Sequence, residues 1–397
     1  MPEDPTPPAH RAPRGRAHGS KGHFDWRHPK SWTKNQRWGT GISAAALVLV
    51  VLLVVLLVSA GSSPKKAAAQ KPSATTAPTA STISHKDPKH GPPVCPLTGT
   101  TAPGGKVPAR PALAFKVDNY PNARPWSGID KADIVFEEPV EGFITRLVAV
   151  FQCQQAPLVG PIRSARYVDQ GITGLLSDPI LIHVGDIDQV ANVLDNPPSR
   201  LTDINLIYTG SQIIYDLPGR EAPYDTYAST SGGWGLVPKD KTPPAPVFKY
   251  SSAVPKGKPD TTLAINFSST SDETWTYHST THTYTLSYAD TGPATVMQPN
   301  GTTTPISTSN IVVQVVNYTL GPWVENSEGG LEVMAVPTGS GPLEVLRDGV
   351  FIRGTWSRSS LSAPLQLKST SGSIIKLKPG PTWVDIVPTG LPVTPTP

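Results

Sequence analysis

Three arginines, Arg146, Arg163 and Arg166, stand close together in a stretch that holds few other charges. A guanidinium group can donate two parallel hydrogen bonds to a carboxylate or a phosphate, so this spacing predicts an anion-binding site. The alternative is that the arginines pair with carboxylates of the same region and stabilise the fold. The predicted ligand-binding residues are Arg146, Arg163, Ser164, Arg166, Asp118 and Asn119. The internal partners in the alternative are Asp118, Glu137, Glu138 and Glu141.

A second group of residues has the types that acid and base catalysis requires. His183, followed by Asp186 and Asp188, could hold a metal or form an oriented general base, and Ser164 could act as a nucleophile. No zinc-protease, nucleophile-elbow, phosphate-loop or dinucleotide-binding motif accompanies them. The catalytic candidates are therefore only His183, Asp186 and Glu141, and neither a metal nor a cofactor is expected. A histidine that ends an apolar strand is more often a hydrogen-bonded structural residue.

Glu137, Glu138 and Glu141 could together supply the two carboxyl groups of a glycan hydrolase. Neighbouring residues of a strand point to opposite faces, so Glu137 and Glu138 are poor partners for each other.

An uncharged apolar run spans residues 42–60 and predicts a transmembrane helix over 41–60, because about twenty apolar residues cross a bilayer. The tail 1–40 carries eight basic and three acidic side chains and lacks apolar periodicity, so it is predicted to be disordered. This charge bias favours a single-pass protein of the cell membrane with a cytoplasmic N-terminus and an extracellular C-terminal region. A cleavable signal peptide is the alternative.

Residues 61–93 are rich in Pro, Ala, Ser, Thr and Lys and predict an extended spacer. The positive charge of the chain lies in this spacer and the tail, because residues beyond 93 hold 21 basic and 26 acidic side chains. A nucleic-acid-binding face is therefore not expected.

The remaining pattern predicts an α+β fold in which an α/β-type lobe precedes an antiparallel β-rich lobe. The first lobe contains apolar strands at 112–117, 144–151 and 180–184 and helices at 167–176 and 187–194. The second contains short runs of β-branched and aromatic residues, with a hairpin turn at Asp348-Gly349. The predicted boundaries are 94–241 for the first lobe, 242–259 for a linker, 260–388 for the second lobe and 389–397 for a loose end.

Only two cysteines occur, Cys95 and Cys153. Both fall in the predicted extracellular region, where thiols oxidise, so a single disulfide is the favoured interpretation. Two unpaired, buried thiols are the alternative.

Short motifs occur in order along the chain and together resemble the YerB-like family, catalogued as domain of unknown function 3048. Those of the first half are PLTG at 96–99, KVDN at 116–119, ADIV at 132–135, EGFITR at 141–146 and GPIRSAR at 160–166. Those of the second half are NIVVQ at 310–314, RDG at 347–349, GTW at 354–356 and PGPTWV at 379–384. The resemblance implies an extracytoplasmic location, often as a lipoprotein, and no settled activity.

The sequence departs from the family in two places. Gly61 stands where a lipidated cysteine would stand, so the apolar run is expected to provide the anchor. Tyr224 stands where the family pattern has a histidine, so an activity that needs this histidine would be absent.

The sequence thus predicts an extracytoplasmic binding or regulatory protein of the bacterial cell envelope. The expected partners are the membrane and either an anionic wall component, such as a cell-wall glycan, or an envelope enzyme. The alternative is a cell-wall hydrolase or transferase that uses His183 with nearby carboxylates.

Overall fold

The structure is a computed structural model that describes residues 91–197, 200–237, 241–335 and 337–397. The predicted tail 1–40, the predicted membrane span 41–60 and all but the end of the spacer 61–93 lie outside these residues.

Short strands dominate the described chain. In the first half they are β1 (Leu113–Asp118), β2 (Ile134–Pro139), β3 (Thr145–Phe151), β4 (Ile180–His183), β5 (Thr202–Asn205), β6 (Tyr215–Asp216) and β7 (Thr226–Tyr227). They continue as β8 (Lys258–Pro259), β9 (Thr262–Asn266), β10 (Asp272–His278), β11 (Thr283–Tyr288), β12 (Gly292–Pro293), β13 (Thr295–Met297), β14 (Thr303–Pro305) and β15 (Ser307–Thr308). The last are β16 (Asn310–Val316), β17 (Tyr318–Val324), β18 (Leu331–Ala335), β19 (Gly339–Arg347), β20 (Val350–Arg358), β21 (Gln366–Ser369), β22 (Thr382–Pro388) and β23 (Val393–Thr396).

Helices in the described residues are few and short. They are α1 (Asp169–Thr173), α2 (Asp188–Asp195) and α3 (Thr230–Gly235), with 3₁₀ turns at Pro103–Gly105, Pro121–Ala123, Ile129–Lys131, Glu141–Phe143, Gly174–Leu176 and Ser211–Ile213. The hydroxyl of Ser229 caps α3 by accepting a hydrogen bond from the Gly232 amide at 3.0 Å.

One sheet of eleven strands joins the two halves of the sequence. Its order is β21-β20-β19-β16-β22-β2-β3-β1-β4-β5, with β8 added beside β20. The strand β22 lies between β16 and β2 and runs parallel to both, which places Trp383 opposite Val135 on one side and Ile311 on the other. The first and second halves therefore share one hydrogen-bonded sheet.

A second sheet covers one face of this central sheet. It has the order β12-β11-β10-β9-β23, with β15 beside β11. Alternate residues of the central strands, such as Phe115 and Trp383, meet Trp275 and Leu286 of the second sheet in one apolar cluster. The Trp275 and Trp383 rings pack edge to face with centroids 5.2 Å apart. The residues that alternate with Phe115 and Trp383 along the central strands, such as Ala114, point to the opposite face of the sheet.

The opposite face of the central sheet is covered by the helices and their loops. One apolar cluster there includes Phe136 of the sheet, Val168 and Ile172 of the α1 region, and Val190 and Leu194 of α2. The central strands are therefore buried on both faces, which explains why β1 and β3 are almost continuously apolar.

The predicted α+β fold class is wrong. The structure is 41% strand and 12% helix, so it is mostly β, and a single sheet replaces the predicted α/β lobe followed by a separate β lobe. The local predictions were better: the strands at 112–117, 144–151 and 180–184 correspond to β1, β3 and β4. The error arose because pairing between distant strands leaves no local pattern.

The single N-terminal transmembrane helix in the predicted fold class is likewise not supported. No helix of the described chain is long and apolar enough to cross a membrane. The longest, α2, has eight residues, whereas about twenty are needed. The candidate span itself, 41–60, lies outside the described residues.

Cys95 and Cys153 form a disulfide, with their Cα atoms 5.9 Å apart. It ties the segment before β1 to the residues that follow β3. The turn Asp348-Gly349 has positive φ at both residues, 52° and 69°, and joins β19 to β20 as the sequence predicted.

Candidate functional site

Three parallel strands end side by side at one edge of the central sheet. β1 pairs with β4 and β4 with β5, both in parallel, so their carboxyl ends bring Asp118, His183 and Asn205 to the same edge. In open sheets with parallel strands, ligands commonly bind beyond these carboxyl ends. We call the side chains gathered there the carboxyl edge.

Arg163 is the most accessible arginine of the predicted site. Its Nε donates to Asp118 Oδ2 at 2.9 Å, and its side chain is 32% exposed. Its two terminal nitrogens donate to no protein group within the described chain. The other carboxylate oxygen of Asp118 accepts a hydrogen bond from the Tyr120 amide at 2.9 Å. Arg163 thus keeps a guanidinium edge for a ligand.

Two tyrosines flank this ion pair. The rings of Tyr120 and Tyr224 stack with an interplanar angle of 8° and centroids 6.5 Å apart. Burial and then the Asp118 charge raise the pKa of Tyr224, so its hydroxyl stays protonated at neutral pH. The position where the sequence departs from the family pattern therefore lies at the carboxyl edge.

Arg146 and Arg166 are turned inward and share one carboxylate. Arg166 donates from Nε to Glu141 Oε2 at 2.8 Å and from a terminal nitrogen to Oε1 at 2.5 Å. Arg146 contacts the same Oε1 at 3.4 Å and donates to the Ser164 carbonyl at 3.0 Å. Burial alone would raise the pKa of Glu141, but the Arg166 hydrogen bond and both arginine charges lower it to about 2. Glu141 therefore stays ionised and cannot serve as a general acid at neutral pH.

The inward arginines belong to a larger buried charge network. Lys116 contacts Glu138 and, at 2.8 Å, Asp169. Arg166 also lies 3.4 Å from Glu325 and 4.0 Å from Glu332. The cations are Lys116, Arg146, Arg163 and Arg166, and the carboxyl groups are Asp118, Glu138, Glu141, Asp169, Glu325 and Glu332.

Two of these carboxyl groups hold protons at neutral pH. Burial raises the pKa of Glu138 to about 8. Burial, together with the hydrogen bond that its protonated carboxyl group donates to Glu325, raises the pKa of Glu332 to about 9. The remaining carboxylates then match the cations in number. Arg146 and Arg166 are neutralised within the fold, as the alternative interpretation of the arginine pattern supposed.

His183 is fully buried at the end of β4, and both of its ring nitrogens face oxygen atoms. Nδ1 lies 3.0 Å from the Gly185 carbonyl oxygen, and Nε2 lies 3.1 Å from Asp203 Oδ1. Asp186 Oδ2 lies 3.9 Å from the same Nε2. Burial would lower the pKa of His183, but the Asp203 hydrogen bond and charge outweigh it and raise that pKa. Neither nitrogen of this buried ring faces solvent.

Asn205 holds this group from the neighbouring strand. Its Nδ2 donates to Asp186 Oδ1 at 3.2 Å, and its Oδ1 accepts from the Gly185 amide at 3.1 Å. Gly185 has φ 81°, so the loop after β4 turns sharply enough to bring Asp186 back toward the ring. Asp188, by contrast, is exposed at the start of α2 and lies outside the cluster around His183.

Asn119 points away from Arg146, Arg163 and Arg166, into a second buried carboxyl cluster. Its Nδ2 donates to Glu137 Oε1 at 2.9 Å, on the side of the second sheet. Carboxylate oxygens of Glu137, Glu273 and Asp385 lie within 4.8 Å of one another, and all three side chains are buried. Burial raises the pKa of each group, and the charges of its neighbours raise that of Glu273 and of Asp385 further.

The fold thus separates Glu137 from Glu138, because alternate strand positions face opposite sides of the sheet. Glu137 accepts a hydrogen bond from Tyr288 of the second sheet, and Glu138 meets Lys116 on the helix side. The structure brings Asp118, Arg163 and Ser164 to one accessible edge, with the other two arginines buried behind it. Among the described residues, the Ser164 hydroxyl donates to no histidine.

Sequence reasoning missed Asp203 and Asn205, although a signal existed. They alternate along β5 in the run TDIN, which places both on one side of the strand. It also missed Glu273 and Asp385, which stand two residues from Trp275 and Trp383 and so share their buried face. Each of these four residues belongs to a strand whose burial depends on contact with a strand that is distant in the sequence.

The chain matches two family models. One, described as the N-terminal domain of a protein of unknown function, DUF3048, matches residues 97–241, and the other, the C-terminal domain of DUF3048, matches residues 263–384. A curated relative, "Putative lipoprotein YerB" from Bacillus subtilis (strain 168), is 28% identical over 310 residues, which cover 74% of this chain and 86% of that protein. The crystal structure of YerB protein from Bacillus subtilis matches with a TM-score of 0.62 at 23% identity, covering 76% of this chain and 99% of that one. This last likeness is one of fold.

These findings correct the predicted localisation. A single-pass membrane protein with a cytoplasmic N-terminus was expected, but no described helix can span a bilayer and the curated relative is named a lipoprotein.

Proposed function

The chain belongs to the DUF3048 family, as its motifs predicted, and on that premise we propose that it is an envelope-associated binding protein. The name of the curated relative supports the envelope association, because lipoproteins are attached to envelope membranes. The proposed ligand is a carboxylate-bearing glycan of the cell wall, bound at the carboxyl edge.

The observation that carries this proposal is the unused guanidinium edge of Arg163. The terminal nitrogens of Arg146 and Arg166 donate to Glu141 and to backbone carbonyls, whereas the guanidinium of Arg163 donates only from Nε, to Asp118. The two terminal nitrogens can therefore donate in parallel to a ligand carboxylate. Because Asp118 stays beside the arginine, the site favours a ligand with a single negative charge over a polyanion such as a chain of phosphates.

The stacked tyrosines supply the apolar part of a sugar site. Tyr120 is 37% exposed, and its ring lies against the partly buried Tyr224. An amphipathic aromatic ring packs on the apolar face of a sugar while its hydroxyl stays in water. A ligand carboxylate bound to Arg163 and a sugar ring packed on the tyrosines would together hold one sugar unit in place.

The geometry at His183 does not favour the hydrolase or transferase alternative. A general base needs a nitrogen within reach of the substrate, but the ring of His183 is fully buried and turns its two nitrogens toward Gly185 and Asp203. Glu141, the carboxylate proposed to assist it, is fixed as an anion between two arginines.

Co-sedimentation of the full-length protein with purified sacculi tests the proposal. Arg163→Gln should weaken binding about 10- to 100-fold, because a hydrogen bond to a charged group contributes about 1.5–3 kcal/mol. Tyr224→Ala should also weaken it. The matched control is Arg353→Gln, which alters an exposed arginine of β20 and should bind like the unaltered protein.

Equal retention of Arg163→Gln and the unaltered protein would reject the site, and failure of the unaltered protein to sediment would reject the ligand. If the protein binds a component of envelope extracts but does not sediment with sacculi, its partner is a protein instead. Release of soluble muropeptides would restore the enzyme alternative.

A further inference from the structure

The side chains of His183, Asp186 and Asp203 converge at the carboxyl edge from two strands and the loop between β4 and α2. One ligand atom from each lies within 4.8 Å of the others. The ring of His183 is fully buried, while the carboxylates of Asp186 and Asp203 are 8% and 12% exposed. The cluster is thus closed on the protein side and open on the solvent side.

The orientation of the histidine ring requires a positive charge beside Nε2. Nδ1 faces the Gly185 carbonyl, which can only accept, so Nδ1 carries a hydrogen. In the neutral ring Nε2 then holds a lone pair, and this buried lone pair is aimed at the two carboxylates, with no donor to accept from in the described chain. A lone pair facing two anions is unfavourable, so a cation or a second proton must lie between them.

A proton accounts for only part of this arrangement. On Nε2 it could bridge to Asp203 at 3.1 Å, but Asp186 at 3.9 Å is beyond hydrogen-bond reach of Nε2. A metal ion about 2.0–2.2 Å from each ligand atom would hold ligands about 3–4 Å apart and satisfy both carboxylates.

We propose that His183 Nε2, Asp186 and Asp203 bind one divalent first-row transition-metal cation such as Zn²⁺. Imidazole with carboxylates suits such ions better than Ca²⁺ or Mg²⁺, which prefer oxygen ligands alone. Two carboxylates and a neutral imidazole balance the charge of the ion. This site does not depend on the glycan-binding role.

The groups behind the ligands have the arrangement that metal sites use. The Gly185 carbonyl fixes the ring tautomer, and Asn205 donates to Asp186 Oδ1 and so leaves Oδ2 facing the ion. With only three protein ligands and a solvent-facing side, the ion would keep a position for water or a ligand.

Isothermal titration of the chelator-treated full-length protein with ZnCl₂ or MnCl₂ tests the site, with CaCl₂ as the comparison cation. One transition-metal ion per chain should bind, and Ca²⁺ should bind at least 100-fold more weakly. Asp186→Asn and Asp203→Asn should each lower affinity at least 100-fold. Asn205→Ala should lower it about 10- to 100-fold, as loss of an orienting partner does.

The matched control is Asp188→Asn, at the exposed first residue of α2 two positions from Asp186, which should keep affinity within about twofold. Circular dichroism shows whether each variant is folded. A dissociation constant of roughly 1 mM is the weakest that we would assign to a site. If the unaltered protein does not bind Zn²⁺ at that concentration, the site holds a proton and the inference is wrong. Binding that survives Asp186→Asn and Asp203→Asn together would place the ion elsewhere and reject it equally.

Discussion

Replacing Glu138 by glutamine should change how the stability of the protein depends on pH. Lys116, Glu138 and Asp169 are all fully buried, and the one ammonium group contacts both carboxyl groups. One positive charge compensates one carboxylate, so the other carboxyl group keeps its proton. Burial, with the nearby Asp169 charge, raises the pKa of Glu138 to about 8, although Lys116 opposes the shift.

The sign follows from proton binding in the two states. An unfolded glutamate has a pKa of about 4.3, so between about pH 4 and 8 the folded chain holds a proton that the unfolded chain releases. The contribution of this proton to the free energy of unfolding is complete at acid pH. It is lost as the pH rises through the pKa of Glu138 in the folded protein. The loss is about 1.4 kcal/mol per pH unit, or about 2–3 kcal/mol between pH 6 and 8.

The variant Glu138→Gln carries no titrating proton there and its amide oxygen can still accept from Lys116. Its free energy of unfolding should therefore rise relative to the unaltered protein by about 2–3 kcal/mol between pH 6 and 8. Asp169→Asn should also flatten the dependence, because Glu138 then becomes the sole counterion and ionises.

Urea unfolding of the full-length protein, followed by tryptophan fluorescence at pH 6, 7 and 8, measures this difference. Glu328→Gln, at an exposed glutamate of the loop between β17 and β18, is the control and should leave the slope unchanged. Parallel stability curves for Glu138→Gln and the unaltered protein would refute the assignment of the proton.

Three further changes should alter the free energy of unfolding in the same assay. Glu141→Ala leaves two buried guanidinium groups without their carboxylate and should cost about 3–5 kcal/mol; a cost below about 1 kcal/mol would contradict the buried pairing. Replacing Cys95 and Cys153 together by serine frees a loop of 58 residues and should cost about 4 kcal/mol, whereas an unchanged urea midpoint would argue against the bond. Gly349→Ala forces a side chain into a left-handed turn against the Tyr277 ring and should lower the free energy of unfolding by about 1–2 kcal/mol. An unchanged free energy of unfolding would show that the turn relaxes freely and would contradict this prediction.

Local sequence determined the features that depend on neighbouring residues. The strands β1, β3 and β4 were predicted to within about a residue because buried central strands read as apolar runs. The turn Asp348-Gly349 was predicted because two adjacent residues that tolerate positive φ define it. The ordered motifs were enough to predict the family.

For the candidate site, sequence supplied the residue types but not their partners. It predicted Arg163 and Asp118 at the site, yet it could not distinguish Arg163 from the buried Arg146 and Arg166. It grouped His183 with Asp188, where the structure instead supplies Asp203 from the adjacent strand.

Only the tertiary structure decided which distant segments meet. The parallel pairing of β22 with β2 brings residue 382 beside residue 134, and so makes one sheet of what had been predicted as two lobes. Local sequence specifies which strands form and which faces are apolar, but the choice of partner depends on the packing of the whole chain. The protonation of Glu138, the neutralised arginines and the cluster at His183 all follow from that choice, because burial and neighbouring charges exist only once the strands have paired.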